Sequence, residues 1–401
     1  MRIVGINTVH YGSTGKIMLQ TAEMAREKGF EVETFSKTWK SNPNVNVSHH
    51  YIGSLGENMI HRVFAPVCAR EGAFSFGATR RLTAWLKMWK PDLIHLHNLH
   101  GWYLNYRILF RYVKQHNIPV VWTLHDCWAF TAQCPHFTIA KCDKWKTGCH
   151  HCPQHRDYPE TYIDRTRTMW KLKKEWFTGV ENMTIVTPSQ WLADLVKESY
   201  LKEYPVKVIH NGIDLTIFKP TSSDFREKYH CEGKKILLGV AFGWGKRKGL
   251  DVFLELARRL DDRYQIVLVG TDENVDRQLP ENIISIHRTM SQQELAEIYT
   301  AADLFVNPTR EEVLGLVNIE ALACGTPVLT FRSGGSPECV DEKCGSIIAC
   351  DDVDTMEQEI VRICEEMPYL EADCISKARQ FDKNYIFLDY LKLYEKQYEC
   401  K

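Results

Sequence analysis

Short runs of consecutive apolar residues alternate along this chain with longer stretches in which apolar positions return every three or four residues. The first kind predicts buried strands and the second predicts amphipathic helices. In the first half, strands are expected from Ile3 to Ile6, Glu31 to Phe35, Leu93 to Leu96, Val120 to Leu124 and Thr184 to Val186. A glycine loop through Gly12 and Gly15 follows the first strand and leads into a helix that ends at Gly29. The second half repeats the rhythm at Lys235 to Val240, Ile266 to Val269, Ile283 to Ile286, Leu304 to Val306 and Val328 to Thr330. Helices fall between, among them Leu250 to Leu260 and Ser291 to Tyr299. Such alternation predicts an α/β protein with parallel sheets covered by helices.

The turn signal Asn211-Gly212 and the polar run Thr221-Ser-Ser-Asp224 mark an exposed join. Two Rossmann-like domains are therefore expected, 1–205 and 206–384, with a last helix in 385–401. A length of 401 residues suits two domains, each with its own core. Two such halves would hold a ligand in the cleft between them, at the carboxyl ends of the strands. The 50 basic and 51 acidic residues give a net charge of −1, so any attraction to nucleic acid or membrane must be local. Met1 to Asn7 reads as a strand rather than a secretory signal, and no apolar stretch reaches the roughly 20 residues that span a bilayer. A cytoplasmic protein is expected, its 14 cysteines being reduced thiols or metal ligands rather than disulfides.

The densest chemistry lies between Thr309 and Gly335. Glu312 and Glu320 have seven residues between them, Gly315 permits a tight turn, and Leu316 to Cys324 reads as a helix ended by Gly325 and Pro327. The backbone N–H groups of Gly315, Leu316 and Val317 then point out of a helix N-terminus, where a phosphate binds well. The two carboxylates can accept hydrogen bonds from sugar and ribose hydroxyls. Upstream, Lys246, Arg247 and Lys248 precede Gly249. Cations aimed at a departing phosphate stabilise the transition state more than the ground state. Together these stretches describe a site for a nucleoside diphosphate carrying a polyol.

Gly12-Ser-Thr-Gly15-Lys16 fits neither the spacing of a P-loop nor that of a dinucleotide fold, but as a loop before a helix it could approach the same phosphate. Asp352-Val-Asp354 reads as a helix cap rather than a metal–nucleotide motif, and no catalytic metal is expected. His125, followed by Asp126, closes a strand where α/β sheets place their chemistry, and His97 closes a second strand at the same edge.

Glu312-Val-Leu-Gly-Leu, Ile319-Glu-Ala-Leu-Ala-Cys-Gly-Thr-Pro-Val and Gly334-Gly-Ser-Pro-Glu338 resemble the donor-site signature of retaining GT-B glycosyltransferases. These are the large Glu-x7-Glu group, the group 1 glycosyltransferases of bacterial capsule, O-antigen and colanic-acid-type exopolysaccharide synthesis. The resemblance implies a GT-B fold whose last helix crosses back to the first domain. It implies transfer of a hexose or related sugar from UDP or GDP to a glycan or lipid-linked oligosaccharide acceptor, with retention of anomeric configuration. Glu312 would meet the donor-sugar hydroxyls and Glu320 the ribose. Lys248 and the amides of Leu316 and Val317 would hold the diphosphate, and His125 would lie beside the sugar. The family's arginine, about six residues before Lys248, is replaced here by Phe242, so Lys246 or Arg247 is expected to supply that charge. A nucleotide-sugar 2-epimerase on the same architecture is the alternative reading, and neutral net charge argues against a nucleic-acid partner.

Cys134, Cys142, Cys149 and Cys152 are separated by seven, six and two residues in a loop at 127–152. Four thiolates satisfy a structural zinc site, with unliganded thiols as the other reading. Zinc there would hold the loop over His125 and leave no position for activated water. Two segments, Ala78 to Lys90 and Tyr162 to Phe177, mix aromatic and basic residues. In the second, the apolar pairs Tyr162/Ile163, Met169/Trp170 and Trp176/Phe177 recur at seven-residue steps along one helix face, a stripe that more often packs on its own sheet than on lipid. Peripheral contact with the inner face of the plasma membrane is an expectation drawn from relatives that act on lipid-linked sugars.

Overall fold

The computed structural model describes residues 1–38 and 47–399. The chain divides into two compact units: Met1–His210 with the chain from Ile386 onward, and Asn211–Tyr385. Each is a parallel sheet covered by helices, so the α/β expectation holds in both.

The first unit contains strands β1 (Arg2–Ile6), β2 (Glu31–Lys37), β3 (Ser48–Ile52), β4 (Leu93–Leu96), β5 (Val120–Thr123), β6 (Met183–Thr187) and β7 (Val206–Val208), ordered β3-β2-β1-β4-β5-β6-β7. Val206–Val208, which the sequence reading put at the head of the second domain, thus completes the first sheet. The order reverses beside β1, and β4 and β5 run in register from Ile94↔Val120 to Leu96↔Trp122. That register brings His97 and His125, just past the two strands, to one edge. From Ile386 onward the helix Lys383–Glu399 belongs to this unit, with Phe387, Tyr390, Leu391 and Tyr394 in the core formed by Ile17, Leu93 and Val121.

The second unit contains β8 (Lys235–Val240), β9 (Tyr264–Val269), β10 (Ile283–Ile286), β11 (Leu304–Asn307), β12 (Val328–Phe331) and β13 (Gly345–Ile348), ordered β10-β9-β8-β11-β12-β13. Both faces of this sheet are buried, as parallel sheets require. Ile236 and Leu238 enter one core while Leu237 enters the other, following the two-residue period of a strand. Asp352 caps the helix Val353–Glu366, accepting from the Thr355 N–H at 3.0 Å, which is the structural role read from its sequence.

Two expectations are corrected. The first long helix begins at Gly12, so Gly15 lies inside it rather than in a loop. The segment from Tyr162 is not one helix: only Thr166–Phe177 is helical, with Tyr162 and Ile163 exposed ahead of it. Met169, Trp170, Trp176 and Phe177 are buried in their own unit. No helix among the described residues is long and apolar enough to cross a membrane.

Candidate functional site

In the second unit, Lys246–Lys248 form a single 3-10 turn between β8 and the helix Leu250–Arg259. Lys248 Nζ donates to Glu312 Oε2 at 2.6 Å, and the two side chains are only 16% and 21% exposed. Glu312 Oε1 accepts from the Val313 N–H at 3.1 Å. The carbonyl of Glu312 is held from the opposite side by the Gly335 N–H at 3.2 Å. Gly334 has φ of +55°, and a Cβ there would fall 1.6 Å from the same carbonyl oxygen. The acid is therefore fixed both through its side chain and through its backbone.

Gly315, at φ +91°, opens the helix Leu316–Ala323, and no side chain caps this end. The Asn318 N–H donates back to the Gly315 carbonyl at 3.0 Å. Leu316 and Val317 occupy the first turn, where a helix offers its own amides no carbonyl. The Asn318 side chain accepts from Asn307 at 2.7 Å and donates to Ser336 at 2.8 Å, which ties the helix start to β11 and to the turn after β12. Glu320, farther along the helix, accepts from the hydroxyl of buried Tyr299 at 3.2 Å.

Arg310 escaped the sequence reading. It is buried and donates to both oxygens of Asp251 at 2.8 and 2.9 Å and to Asp351 at 2.5 Å. It also donates to the Lys246 carbonyl, and its own N–H reaches the Arg247 carbonyl at 2.9 Å. The basic turn is thereby pinned beside the loop that carries Glu312. The available signal was an arginine directly before two glutamates, but its partners lie 59 and 41 residues away in sequence. Phe242 is 99% exposed and brings no charge to this turn.

In the first unit, Gly15 is buried where a Cβ would stand 2.5 Å from the His10 carbonyl carbon. Close packing of the helix on that backbone outweighs glycine's poor helix propensity and explains why the helix runs through it. His125 Nε2 lies 3.1 Å from His97 Nδ1, with the rings parallel to within 8°. His95 extends the series, contacting Thr123 at 2.8 Å and Tyr394 at 2.6 Å. Burial disfavours the imidazolium and lowers the pKa of His125 to about 4 and of His95 to about 3, with His97 also held well below its ordinary value. Among the described residues, His97 Nε2 is one of the few buried side-chain atoms with no hydrogen-bond partner. Asp126 pairs with His100 at 3.0 Å, which raises the His100 pKa despite its burial. Lys173, wholly buried, donates to the Trp128 carbonyl, and burial lowers its pKa to about 7.

Cys134, Cys142, Cys149 and Cys152 all line one cavity of about 10 Å³. That is on the order of a single water-sized sphere. Burial, reinforced by neighbouring thiols, pushes the Cys134 thiol up, and burial takes Cys149 to about 12. The thiols are not drawn into a closed shell: among the described residues no group of three or more His, Cys, Asp or Glu side chains stands ready to hold a metal. The loop has its own aromatic core, in which buried Trp145 packs against Phe130 and Phe137 and donates to the Cys142 carbonyl at 3.1 Å.

The glycosyltransferase family 4 model matches residues 14–217, more than half of the chain, and the model for glycosyl transferases group 1 matches residues 234–366. This chain belongs to glycosyltransferase family 4. The family's parallel-sheet pair is seen in solved structures of similar fold. Sucrose-phosphate synthase from Thermosynechococcus elongatus superposes with a TM-score of 0.75 at 19% identity, over 100% of both chains. HepE of Anabaena, solved in complex with UDP and glucose, gives 0.68 at 15% identity, over 99% of this chain and 100% of that one. Among curated relatives, the putative colanic acid biosynthesis glycosyl transferase WcaC of Escherichia coli (strain K12) is 27% identical over 66% of this chain and 65% of its own length. The alpha-maltose-1-phosphate synthase of Mycolicibacterium smegmatis is 29% identical over 46% of this chain and 54% of its own. The chain thus spans less than two thirds of the length of these relatives.

Proposed function

We propose that this protein transfers a sugar from a UDP- or GDP-sugar to a growing surface-polysaccharide or lipid-linked glycan, with retention at the anomeric carbon. The Lys248–Glu312 pair beside an uncapped helix start is the observation that carries this reading. A cation and uncapped helix amides together suit a departing diphosphate, and the carboxylate beside them suits sugar hydroxyls. In the proposed step, an acceptor hydroxyl oxygen bonds to the anomeric carbon as the bond to the diphosphate oxygen breaks. The hydroxyl proton passes to that phosphate oxygen on the same face, and nucleoside diphosphate leaves. Lys248 and the amides of Leu316 and Val317 hold the diphosphate charge, Glu312 orients the sugar and Glu320 the ribose. His125, neutral at physiological pH, can share a hydrogen bond with the donor sugar without adding charge. Lys246 and Arg247 belong to the same proposed donor surface.

HepE, a protein of this fold, has been solved with UDP and glucose, which supports a nucleotide-sugar donor here. Thermal unfolding with a panel of UDP- and GDP-sugars tests the reading. A true donor at a hundredfold excess over its Kd should add about 2.7 kcal/mol to stability. A panel that leaves the unfolding temperature unchanged throughout rejects it.

A further inference from the structure

A groove of about 670 Å³ opens on the first unit, lined by Trp102, Tyr158, Arg62, Arg156 and Glu160, with apolar side chains of the helix Leu55–Cys68 completing its lining. Trp102 lies in the loop that follows β4, and Tyr158 in the long connection that follows β5. The same two loops carry His97 and His125, so the groove is built from the sheet edge where α/β folds bind ligands. The rings of Trp102 and Tyr158 stand 5.9 Å apart at 85°, which makes a corner of two aromatic walls.

Both walls are fixed by polar groups. Trp102 has φ of +63°, a conformation that bulky side chains rarely adopt. Gly101 before it, at φ +116°, donates its N–H to buried Glu71 at 2.8 Å and accepts from Lys37 Nζ at 3.3 Å. A Cβ on Gly101 would fall 2.6 Å from the Thr8 methyl carbon. Backbone strain of this kind persists where the surroundings over-determine it, and it gathers at ligand sites. The Tyr158 hydroxyl meets His100 Nδ1 at 3.0 Å, and His100 Nε2 donates to Asp126 at 3.0 Å. The charge at the corner is cationic: the Arg62 guanidinium lies 5.7 Å and the Lys37 ammonium 5.8 Å from the Trp102 ring centre, and exposed Arg156 faces the groove with Glu160. Aromatic faces suit the C–H face of a sugar ring, and guanidinium groups match a carboxylate or phosphate in paired hydrogen bonds. A neutral sugar or an alkyl chain would use the walls and leave the arginines idle.

We propose that this corner is an acceptor subsite for a sugar bearing an anionic substituent, its ring against Trp102 and Tyr158 and its carboxylate or phosphate on Arg62 and Arg156. Naming it an acceptor subsite rests on the transferase reading, whereas its binding of acidic sugars is measured with no donor present. Saturation-transfer NMR of the full-length protein with methyl glucuronoside, glucose 1-phosphate, methyl glucoside and glycerol 3-phosphate gives four Kd values. At least one acidic sugar should bind roughly tenfold more tightly than methyl glucoside, and the tighter of the two identifies the anion. Glycerol 3-phosphate, which has no ring, should bind more weakly than glucose 1-phosphate. The exposed double substitution Arg62→Gln/Arg156→Gln should remove the preference for acidic sugars at unchanged unfolding temperature and leave methyl glucoside binding as it was. Trp102→Leu should weaken every sugar, roughly fivefold, and spare glycerol 3-phosphate. Acidic sugars that bind no better than methyl glucoside would overturn the proposal, as would a preference that survives the double substitution. Donors that raise the unfolding temperature while no acidic sugar binds would sink this proposal and spare the transferase reading. Acidic sugars that bind where no donor stabilises the protein would uphold the groove and remove its role in transfer.

Discussion

Lys248 and Glu312 meet at 2.6 Å although 64 residues separate them, because β8 and β11 are neighbours in the second sheet and each ends in one of the two loops. The ammonium is mostly buried and already neutralised, so a diphosphate entering here would exchange one anionic partner for another. Lys248→Ala is expected to lower kcat about 10²–10³-fold, the effect of removing one preorganised group from a site of developing charge. Glu312→Ala should reduce turnover with little change in nucleotide affinity. Steady-state kinetics together with calorimetric binding of the nucleoside diphosphate separate the two, and unchanged kinetics in both variants would remove this pair from the mechanism.

Glu320 is expected to behave differently. Its carboxylate is positioned by the Tyr299 hydroxyl at 3.2 Å, on the helix that begins at the candidate phosphate site. If it accepts from ribose hydroxyls, Glu320→Ala should weaken nucleotide binding by about 1.5–3 kcal/mol, roughly 10- to 150-fold in Kd. The free sugar should be indifferent to the change. Equal Kd values for the two proteins would argue that Glu320 takes no part in holding the nucleotide.

Gly334 offers a test of backbone support. Gly334→Ala adds a methyl 1.6 Å from the Glu312 carbonyl at a φ of +55°. The left-handed backbone alone costs about 1–2 kcal/mol, and relieving the clash must move the Glu312 loop. Gly179 has φ of +73° with nothing within 4 Å of a built Cβ, so Gly179→Ala isolates the backbone part. The Gly334 variant should unfold at a lower temperature than the Gly179 variant and lose most of its activity. Comparable activity in the two would show that the loop tolerates displacement.

Much of this arrangement is visible in the sequence because strands of parallel sheets are short, buried and bounded by turns. Every strand expected was found, yet Ser48–Ile52, Val206–Val208 and Gly345–Ile348 were missed. All three are edge strands with only one neighbour, and Ser-His-His-Tyr-Ile lacks the apolar run that a central strand must have. The glutamates, the basic turn and the helix between Gly315 and Gly325 are local motifs and could be read directly. Arg310 and the His97–His125 contact could not. Each depends on which strands become neighbours, and local spacing carries no record of that.

The histidine row predicts a direction for acid sensitivity. His95, His97 and His125 all have folded-state pKa values below the ordinary 6.5, because burial excludes the imidazolium. The unfolded chain therefore binds protons that the folded chain refuses. Stability from this source is present above pH 6.5 and is lost as pH falls from 6.5 toward 4. His100 opposes the trend, since its raised pKa favours the folded state at low pH. Urea denaturation between pH 7 and pH 4.5 should show falling stability. His125→Asn should reduce the slope by up to about 1.4 kcal/mol per pH unit, the contribution of one proton. An unchanged slope would mean that His125 gains its proton without unfolding.

The four cysteines that share one small cavity lead to the last prediction, that the protein as purified holds about one zinc per chain. The sulfurs now line a space of about 10 Å³ without closing on it. Gathering them requires rotation of side chains on a loop that Trp145 already holds by its aromatic packing. Cys142 and Cys152 are only partly buried, which gives an ion a way in. Four thiolate ligands would leave no open position, so the metal would steady the loop at 127–152 and take no part in bond breaking. Elemental analysis should find zinc in the unaltered protein and much less in Cys149→Ser. Chelation should lower the unfolding temperature and speed hydrogen exchange in the loop before it affects the second unit. Folded, active protein that contains no zinc would show that these thiols stand unliganded.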